Sequence, residues 1–370
     1  MHTKPVVRTT DFSDEYEKLS CMAVLKKGLS ENAFPSCAVA VGIGYDTYLS
    51  AVMGNKTTYP TFQKADMGTL YDMASLTKLM ATTMVALRLL EQGKLLLTDP
   101  LSMYFTLEEL KNVPEGRGDV TIFHLMTHTS GITPHIPLWK VTQSPDEAVS
   151  AILSSPSVCG CGEQVYYSCM GYILLQKILE RITDKPLDIL AKDMVFDPLG
   201  MKHTTFKPTC DNIATTEYST MRETYIKGEV HDENAYYLGG VSGNAGLFST
   251  LGDASKFASM LSSKGNSPHG EFLSKSTFAL ATQNFTPGLS EARGLGFQLK
   301  PPMPALSAMG DIMSEGSFGH TGFTGTSLYV DAKTGLWMVL LTNAVHFGRD
   351  KTAFFRYRRL FHNAAMTDFT

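Results

Sequence analysis

The sequence predicts an α+β fold in which one antiparallel sheet, flanked by helices, is built from both ends of the chain, with a mainly helical region inserted between them. Near the N-terminus, β-rich runs at residues 36–41 and 47–53 are separated by two glycines and an aspartate, which predicts a hairpin. Near the C-terminus, residues 326–330 and 336–342 alternate across a short polar turn in the same way. We therefore expect an α/β region from residues 1–70 and 235–370, a helical region from 71–234, and a cleft between them.

Apolar periodicity predicts the helices, whose ends are set by glycines and polar residues. The helices are expected over residues 14–29, 75–92, 122–127, 145–154, 171–182, 187–195 and 350–366. The segment 75–92 is apolar on nearly every face, which is typical of a buried helix. Residues 55–70 are polar and are expected to form a loop that leads into this helix.

Composition excludes several classes of function. The 370 residues carry a net charge of -4, and 43% are hydrophobic, so we expect a large core and no disorder across the chain. No run of basic residues is present, which argues against nucleic acid as a partner. No apolar run is long enough to span a bilayer, and the N-terminus lacks the apolar core of a signal peptide. The sequence as written therefore predicts a cytoplasmic protein, or an extracytoplasmic one if a signal peptide has been removed.

The sequence also favours the absence of a metal or other cofactor. The pair Cys159 and Cys161 has no second pair at zinc-site spacing, and we expect most of the six cysteines to be reduced thiols. His124 and His128 have the spacing of a zinc-protease pair, but Leu125 stands where that motif requires glutamate. The glycine-rich stretch 239–246 lacks the lysine of a phosphate-binding loop.

A Ser-x-x-Lys pattern opens the apolar helix, with Ser75 and Lys78 on one face of its first turn. A serine hydroxyl is a weak nucleophile, and an amine in a desolvated site can help to take its proton. Alone, the pattern is also compatible with a capped surface helix and a solvated lysine.

Two further stretches give this pattern its context: Tyr166-Tyr167-Ser168-Cys169 before a predicted helix, and His320-Thr321-Gly322 before a predicted strand. Together the three motifs resemble the serine β-lactamase and penicillin-binding-protein family. They are most similar to the branch with class C β-lactamases, DD-peptidases and related esterases and amidases. The resemblance covers residues 20–345 and implies the β-lactamase/transpeptidase-like fold.

The resemblance implies a role for each motif. Ser75 would attack an acyl carbon, and Lys78 and Tyr167 would share the proton transfers, with Tyr166 as the alternative tyrosine. The backbone N–H groups of Ser75 and Phe323 would form an oxyanion hole. His320, Thr321 and Gly322 would align an extended substrate beside their strand. Simple aromatic packing remains the alternative role for both tyrosines.

The chain departs from the family pattern at one position. Cys169 stands where the family has asparagine, and a thiol hydrogen-bonds a substrate amide poorly. His320 is a less steady anchor for a carboxylate than lysine. His231 lies in a stretch that resembles bacterial muropeptide amidases, and it either reads a polar substrate or only supports its own loop.

From these motifs we expect a serine hydrolase that takes a small-molecule or peptide substrate and forms an acyl-enzyme. The expected targets are amide bonds in peptidoglycan-derived peptides or D-amino-acid compounds. Two alternatives remain open: an esterase for small acyl esters, and a penicillin-binding sensor with little turnover.

Overall fold

The protein is described as a computed structural model that covers residues 16–370. Its strands are β1 (Ser36–Ile43), β2 (Asp46–Thr57), β3 (Gln63–Lys64), β4 (Tyr71–Asp72), β5 (Thr205–Phe206), β6 (Tyr218–Ser219), β7 (Thr224–Tyr225), β8 (Leu247–Ser249), β9 (Asn266–Ser267), β10 (Gly270–Glu271), β11 (Gln298–Leu299), β12 (Phe318–Thr321), β13 (Ser327–Val330) and β14 (Leu336–Thr342). Its α-helices are α1 (Ser20–Ser30), α2 (Met84–Glu91), α3 (Ile122–Thr127), α4 (Leu138–Val141), α5 (Ala148–Leu153), α6 (Cys169–Thr183), α7 (Leu187–Ala191), α8 (Glu233–Tyr237), α9 (Leu251–Ser262), α10 (Lys275–Ala281) and α11 (Thr352–Phe369). The segments Lys78–Thr83 and Lys192–Phe196 are π-helical, and short 3-10 turns occur at Tyr16–Lys18, Leu101–Met103, Arg117–Asp119, Pro145–Glu147 and Ala344–Phe347.

The main sheet has seven strands in the order β11-β12-β13-β14-β1-β2-β3, and every pairing is antiparallel. The N-terminal and C-terminal hairpins meet in its centre, where β1 pairs with β14. This arrangement confirms the predicted antiparallel sheet built from both ends of the chain. Within residues 16–370, three smaller sheets lie outside it, and one of them pairs β4 with β8 beside the candidate site.

The two faces of the main sheet contact different layers. On β1, Ala38 and Ala40 join the larger hydrophobic cluster, which includes the buried helices of the inserted region. Val39 and Val41 alternate with them and join a second cluster, which contains residues of α1 and α11. Because neighbouring side chains on a strand point to opposite faces, a sheet buried on both sides needs this nearly continuous apolar sequence.

Most predicted elements are present with shifted ends. The predicted helix 14–29 begins at Ser20 as α1 after a 3-10 turn, and residues 14–15 lie outside the described range. The predicted helix 75–92 divides into the π-helical segment Lys78–Thr83 and α2. A π-bulge of this kind is frequent at functional sites, and no periodicity in the sequence marked it.

Within residues 16–370, no helix has the length and apolar character needed to cross a membrane. The same part of the chain holds no cluster of three or more His, Cys, Asp or Glu side chains suited to a metal ion.

Candidate active site

Ser75 lies in a tight turn that follows β4. The preceding residue, Ala74, has a φ of 46°, which is a left-handed conformation that a residue with a side chain rarely adopts. The Ala74 N–H donates to Asp72 Oδ1 at 2.8 Å, and this bond holds the turn in place. The turn places Ser75, half-buried, directly before the helical segment that carries Lys78.

Lys78 is completely buried, and its amine has three partners. Nζ lies 3.1 Å from Ser75 Oγ, 2.9 Å from the Asn244 carbonyl oxygen and 3.5 Å from Cys169 Sγ. Burying an amine costs free energy of folding unless the amine is hydrogen-bonded. These three contacts provide the hydrogen bonds and hold the amine close to the serine.

Tyr167 is positioned by the segment that leads into α6. The Ser168 hydroxyl caps this helix by accepting from the Gly171 N–H at 2.9 Å. His128 Nδ1 accepts from the Ser168 N–H at 3.1 Å, and the His128 ring lies 4.6 Å from the Tyr167 ring. The Lys78 amine is 4.9 Å from the centre of the Tyr167 ring, whereas Tyr166 is 43% exposed. Tyr167, and not Tyr166, is therefore the tyrosine beside Ser75 and Lys78.

Burial and neighbouring charges act in opposite directions on this pair. Burial lowers the pKa of Lys78, but Cys169 and Tyr167 oppose it and the net direction is upward. Burial raises the pKa of Tyr167 more than the Lys78 charge lowers it. The positive charge of Lys78 does lower the pKa of Tyr167, but its effect is smaller than the effect of burial. The resting site therefore holds a protonated amine and a neutral phenol.

The opposite wall of the site begins at the end of β12. His320 is buried, and its Nδ1 donates to the Thr321 carbonyl oxygen at 2.7 Å, which leaves Nε2 as an acceptor. Burial lowers the pKa of His320 to about 3, with Arg293 and Lys78 adding to the shift. His320 is therefore neutral at pH 7 and supplies no charge for a carboxylate.

Two residues that line the cleft, Ser75 and Phe323, have backbone N–H groups without a hydrogen-bond partner in the described chain. Gly322 is closely packed between its own loop and the segment that leads to Ser75. An added Cβ would lie 2.1 Å from Thr326 Oγ1 in that loop and 2.4 Å from the Met73 carbonyl oxygen in that segment. Free backbone N–H groups in a cleft that also holds a serine hydroxyl are the kind of donor that can bind an oxyanion.

These groups meet in a cleft of about 360 Å³. It is lined by Ser75, Tyr167, Glu291, Arg293, Gln298, His320, Thr321, Gly322, Phe323, Lys351, Phe355 and Arg358. Of the residues predicted from the sequence, Lys78 and Cys169 lie just behind this lining, in contact with each other.

Three buried cations line the cleft and were missed by the sequence analysis. Arg293, Lys351 and Arg358 are 4%, 5% and 7% exposed. Arg293 pairs with Glu291, whereas Lys351 and Arg358 form no salt bridge within residues 16–370. The Lys351 amine instead contacts the Phe323 carbonyl oxygen and lies 3.2 Å from the centre of the Phe323 ring. No motif marks these residues, and two of them lie on or beside the C-terminal helix, far from the three motifs in sequence.

Burial strongly affects Lys351. It lowers the pKa of this amine to about 7, and the charges of Arg358 and Arg349 act in the same direction. Lys351 is therefore partly charged at neutral pH, and an anion bound beside it would favour the charged form.

His231 does not line the cleft, contrary to its predicted role in substrate binding. It is 4% exposed, its Nε2 lies 3.0 Å from Glu217 Oε1, and its ring stacks on the Phe323 ring at 5.6 Å. The loop turns inward at this point because the His231 N–H donates to the buried Asp72 carboxylate at 2.7 Å. The histidine thus packs against Phe323, which lines the cleft.

The histidine pair at 124 and 128 has structural partners. His124 Nδ1 accepts from the Thr121 N–H at 3.1 Å and contacts its hydroxyl, which completes the cap of α3. His128 supports the tyrosine segment as described above. Both imidazoles are therefore already engaged in local contacts.

Known proteins resemble this chain over most of its length. The family model described as Beta-lactamase matches residues 22–362. A protein of Escherichia coli K12 named D-alanyl-D-alanine carboxypeptidase is 31% identical over 310 residues, which cover 76% of this chain and 71% of the relative. An N-acetylmuramyl-L-alanine amidase of Bacillus subtilis is 31% identical over 307 residues, which cover 75% of this chain and 68% of the relative.

The fold is shared with solved structures. An octameric penicillin-binding protein homologue from Pyrococcus abyssi superposes with a TM-score of 0.74 at 20% identity, over 96% of this chain and 78% of the homologue. The chain therefore belongs to the β-lactamase family and is a β-lactamase-like hydrolase.

Proposed function

We propose that the protein is a serine hydrolase that cleaves amide bonds through a Ser75 acyl-enzyme, in substrates that carry a carboxylate. One observation carries the proposal: Ser75 Oγ lies 3.1 Å from the Lys78 amine, in a cleft that also holds two buried cations without carboxylate partners. Peptidoglycan-derived peptides and D-amino-acid compounds, the substrates expected from the sequence, combine an amide bond with a carboxylate.

The proposed chemistry begins with proton transfer. In the resting site the Lys78 amine is protonated and donates to Ser75 Oγ, so it cannot yet accept the serine proton. Attack therefore proceeds from the minor population in which the Lys78 amine has released one proton to solvent, so that the amine is neutral before Oγ reacts. The neutral amine, coupled to Tyr167, then takes the Ser75 proton as Oγ attacks the acyl carbon. The same pair returns a proton to the leaving nitrogen.

The oxyanion formed in this step needs donors. The free N–H groups of Ser75 and Phe323 supply them, and loss of one such donor typically raises the barrier by roughly 3–4 kcal/mol. Water then attacks the acyl-enzyme ester and regenerates Ser75.

Recognition of a peptide is supported by the edge of the main sheet. The strand β11 pairs only with Phe318 and Gly319 of β12. Within the described chain, no strand pairs with the outer edge of His320 and Thr321. An extended substrate can add to this edge through its own backbone, with its carboxylate directed to Lys351 and Arg358.

The names of the relatives support this substrate class. The Escherichia coli relative is named for D-alanyl-D-alanine and the Bacillus subtilis relative for N-acetylmuramyl-L-alanine. Both compounds join an amide bond to a carboxylate.

A second candidate is an esterase for small acyl esters. Cys169 favours it, because the thiol contacts Lys78 at 3.5 Å and offers no amide to a substrate amide. An ester has no N–H to satisfy, so this loss matters less for ester cleavage. Turnover of p-nitrophenyl esters with no cleavage of D-alanyl-D-alanine peptides would favour the esterase.

The test of the nucleophile is covalent labelling. We expect a fluorophosphonate to add its mass to Ser75 of the wild type, as measured by intact-protein and peptide mass spectrometry, and to leave Ser75→Ala unmodified. The matched control is Ser290→Ala, which removes an exposed serine whose hydroxyl reaches the Val165 carbonyl oxygen, and it should label like the wild type. A wild type without label on Ser75 would contradict the proposal. A stable adduct of a fluorescent penicillin without any turnover would instead indicate a sensor.

A further inference from the structure

We propose that Asp72 and His231 are positioning residues that hold the two halves of the oxyanion hole together. The inference rests on the proposed function, because the hole matters only if Ser75 is acylated. The two halves are the turn 72–75 and the loop 322–326, and they are separated by about 250 residues of chain, since the contact from Thr324 to Asp72 spans 252 positions. We name Asp72 and His231 the clasp.

Asp72 binds both halves directly. Its Oδ1 accepts from the Ala74 N–H at 2.8 Å, within the turn that carries Ser75. Its backbone carbonyl oxygen accepts from the Thr324 hydroxyl at 2.7 Å, in the loop that carries Phe323. A second bond joins the same segments, since the Thr326 hydroxyl donates to the Met73 carbonyl oxygen at 3.2 Å.

The second oxygen of the Asp72 carboxylate holds His231. The His231 N–H donates to Asp72 Oδ2 at 2.7 Å. The His231 ring then stacks on the Phe323 ring, with 5.6 Å between the ring centres and 22° between their planes. Each carboxylate oxygen thus fixes one side of the hole.

The ion pair of Glu217 and Arg349 holds the edge of the His231 ring. Glu217 Oε1 lies 3.0 Å from His231 Nε2 and accepts from Arg349 Nε at 2.8 Å. The histidine ring therefore has a partner on its edge and Phe323 on its face. These contacts account for the burial of the Asp72 carboxylate and the His231 imidazole, neither of which lines the cleft.

The carboxylate is the group that this position requires. Two backbone N–H groups converge on Asp72 from opposite sides, and a carboxylate accepts both, one on each oxygen. An asparagine has one acceptor oxygen, so its amide nitrogen would meet one of the two N–H groups. In Asp72→Asn one side of the hole must therefore move.

The first test compares Asp72→Asn with Asp331→Asn. Asp331 is buried to a similar extent and also accepts backbone N–H groups on both oxygens, that of Ser314 at 2.6 Å on Oδ2 and those of Lys333 at 3.2 Å and Thr334 at 2.8 Å on Oδ1, but it lies at the far end of β13. For Asp72→Asn we expect the rate of Ser75 labelling by a fluorophosphonate, and kcat on a p-nitrophenyl ester, to fall roughly ten- to hundredfold. KM should stay within about twofold, because ground-state contacts do not use the hole.

A boronic acid separates positioning from general damage. Its tetrahedral adduct places an oxygen in the hole, so its affinity should fall in parallel with kcat in Asp72→Asn and remain unchanged in Asp331→Asn. Equal losses of kcat and boronic acid affinity in the two variants would overturn this inference but not the proposed function. Labelling of Asp72→Asn at the wild-type rate would have the same consequence. A wild type that does not label at Ser75 would overturn the proposed function and the inference together.

The second test uses His231, in case Asp72→Asn does not fold. His231→Phe keeps a ring that can stack on Phe323, whereas His231→Ala removes it, and both keep the backbone N–H. We expect His231→Phe to label within about threefold of the wild type and His231→Ala to label roughly tenfold more slowly. Labelling of His231→Ala at the rate of His231→Phe would overturn the role of the ring.

Discussion

The two walls of the cleft differ in how their polar groups are partnered. On the reactive wall, formed by Ser75, Lys78 and Tyr167, the buried amine has three partners, whereas the Tyr167 hydroxyl has none in the described chain. On the recognition wall, Lys351 and Arg358 are buried and have no carboxylate partner in the described chain. Under the proposed function, the lysine amine of the reactive wall is held in place before substrate arrives, whereas the substrate carboxylate would complete the recognition wall.

This difference has an energetic side. A buried cation without a counter-charge destabilises the folded state, and the low pKa of Lys351 reflects that cost. A bound carboxylate would offset it and so gain affinity from the same burial. The asymmetry of the cleft thus favours anionic substrates over neutral ones.

The largest expected effect comes from forcing apart the loop that contains Gly322 and the segment that leads to Ser75. In Gly322→Ala the added Cβ would lie 2.4 Å from the Met73 carbonyl oxygen, a backbone atom of the segment that leads to Ser75. Because backbone cannot move aside cheaply, we expect kcat on a p-nitrophenyl ester to fall roughly hundredfold.

The control for this variant is Gly252→Ala. Gly252 lies in α9, and an added Cβ there would meet nothing within 4 Å. It should retain wild-type kcat, measured beside Gly322→Ala together with the thermal midpoint. Full activity in Gly322→Ala would contradict the tight packing of the two segments.

A smaller effect is expected from pH, through Lys351. The pKa of this amine is lowered to about 7 by burial, so its charge is present below pH 7 and is lost as pH rises through that value. A substrate carboxylate stays ionised throughout this range. KM for an anionic substrate should therefore rise roughly five- to tenfold from pH 6 to pH 8.

Two comparisons make the pH profile specific. KM for a neutral p-nitrophenyl ester should be flat over the same range, and Lys351→Met should remove the step for the anionic substrate. The same rise in KM for both substrates would show that the titrating group does not act on the carboxylate.

The smallest effect is expected on the reactive wall, at Cys169. In Cys169→Asn an amide replaces the thiol that contacts Lys78 at 3.5 Å, and it can hydrogen-bond both the amine and a substrate amide. The rate of acylation by a fluorescent penicillin should rise by roughly three- to tenfold, which is the scale of one net hydrogen bond. An unchanged rate would mean that the thiol is not what limits β-lactam recognition.

The sequence predicted the sheet because its hairpins are local. The runs that became β1, β2, β13 and β14 each have a neighbour within a few residues, so alternation and turn residues were sufficient. The ends of α1 and the π-helical segment at Lys78 were not predictable, since tertiary packing sets them.

The candidate site residues could be proposed from the sequence for a similar reason. Ser75 and Lys78 lie three positions apart, and Tyr167 and His320 belong to short motifs. The cations were missed because Lys351 and Arg358 reach the cleft only through the docking of the C-terminal helix. For His231 the sequence left two roles open, substrate contact and support of its own loop, and its contacts with Asp72 and Glu217 favour the second.

The most direct test of the two-wall account is binding without chemistry. In a Ser75→Ala background, calorimetry would compare a D-alanyl-D-alanine peptide that has a free C-terminal carboxylate with the same peptide capped as a carboxamide. We expect the carboxylate to bind at least about tenfold more tightly, a difference of about 1.4 kcal/mol. Adding Lys351→Met and Arg358→Gln should remove that preference. Adding Lys300→Met instead should leave it intact, since Lys300 is similarly buried and also lacks a carboxylate partner in the described chain but does not line the cleft. Equal affinity for the two peptides in the Ser75→Ala background would contradict the account.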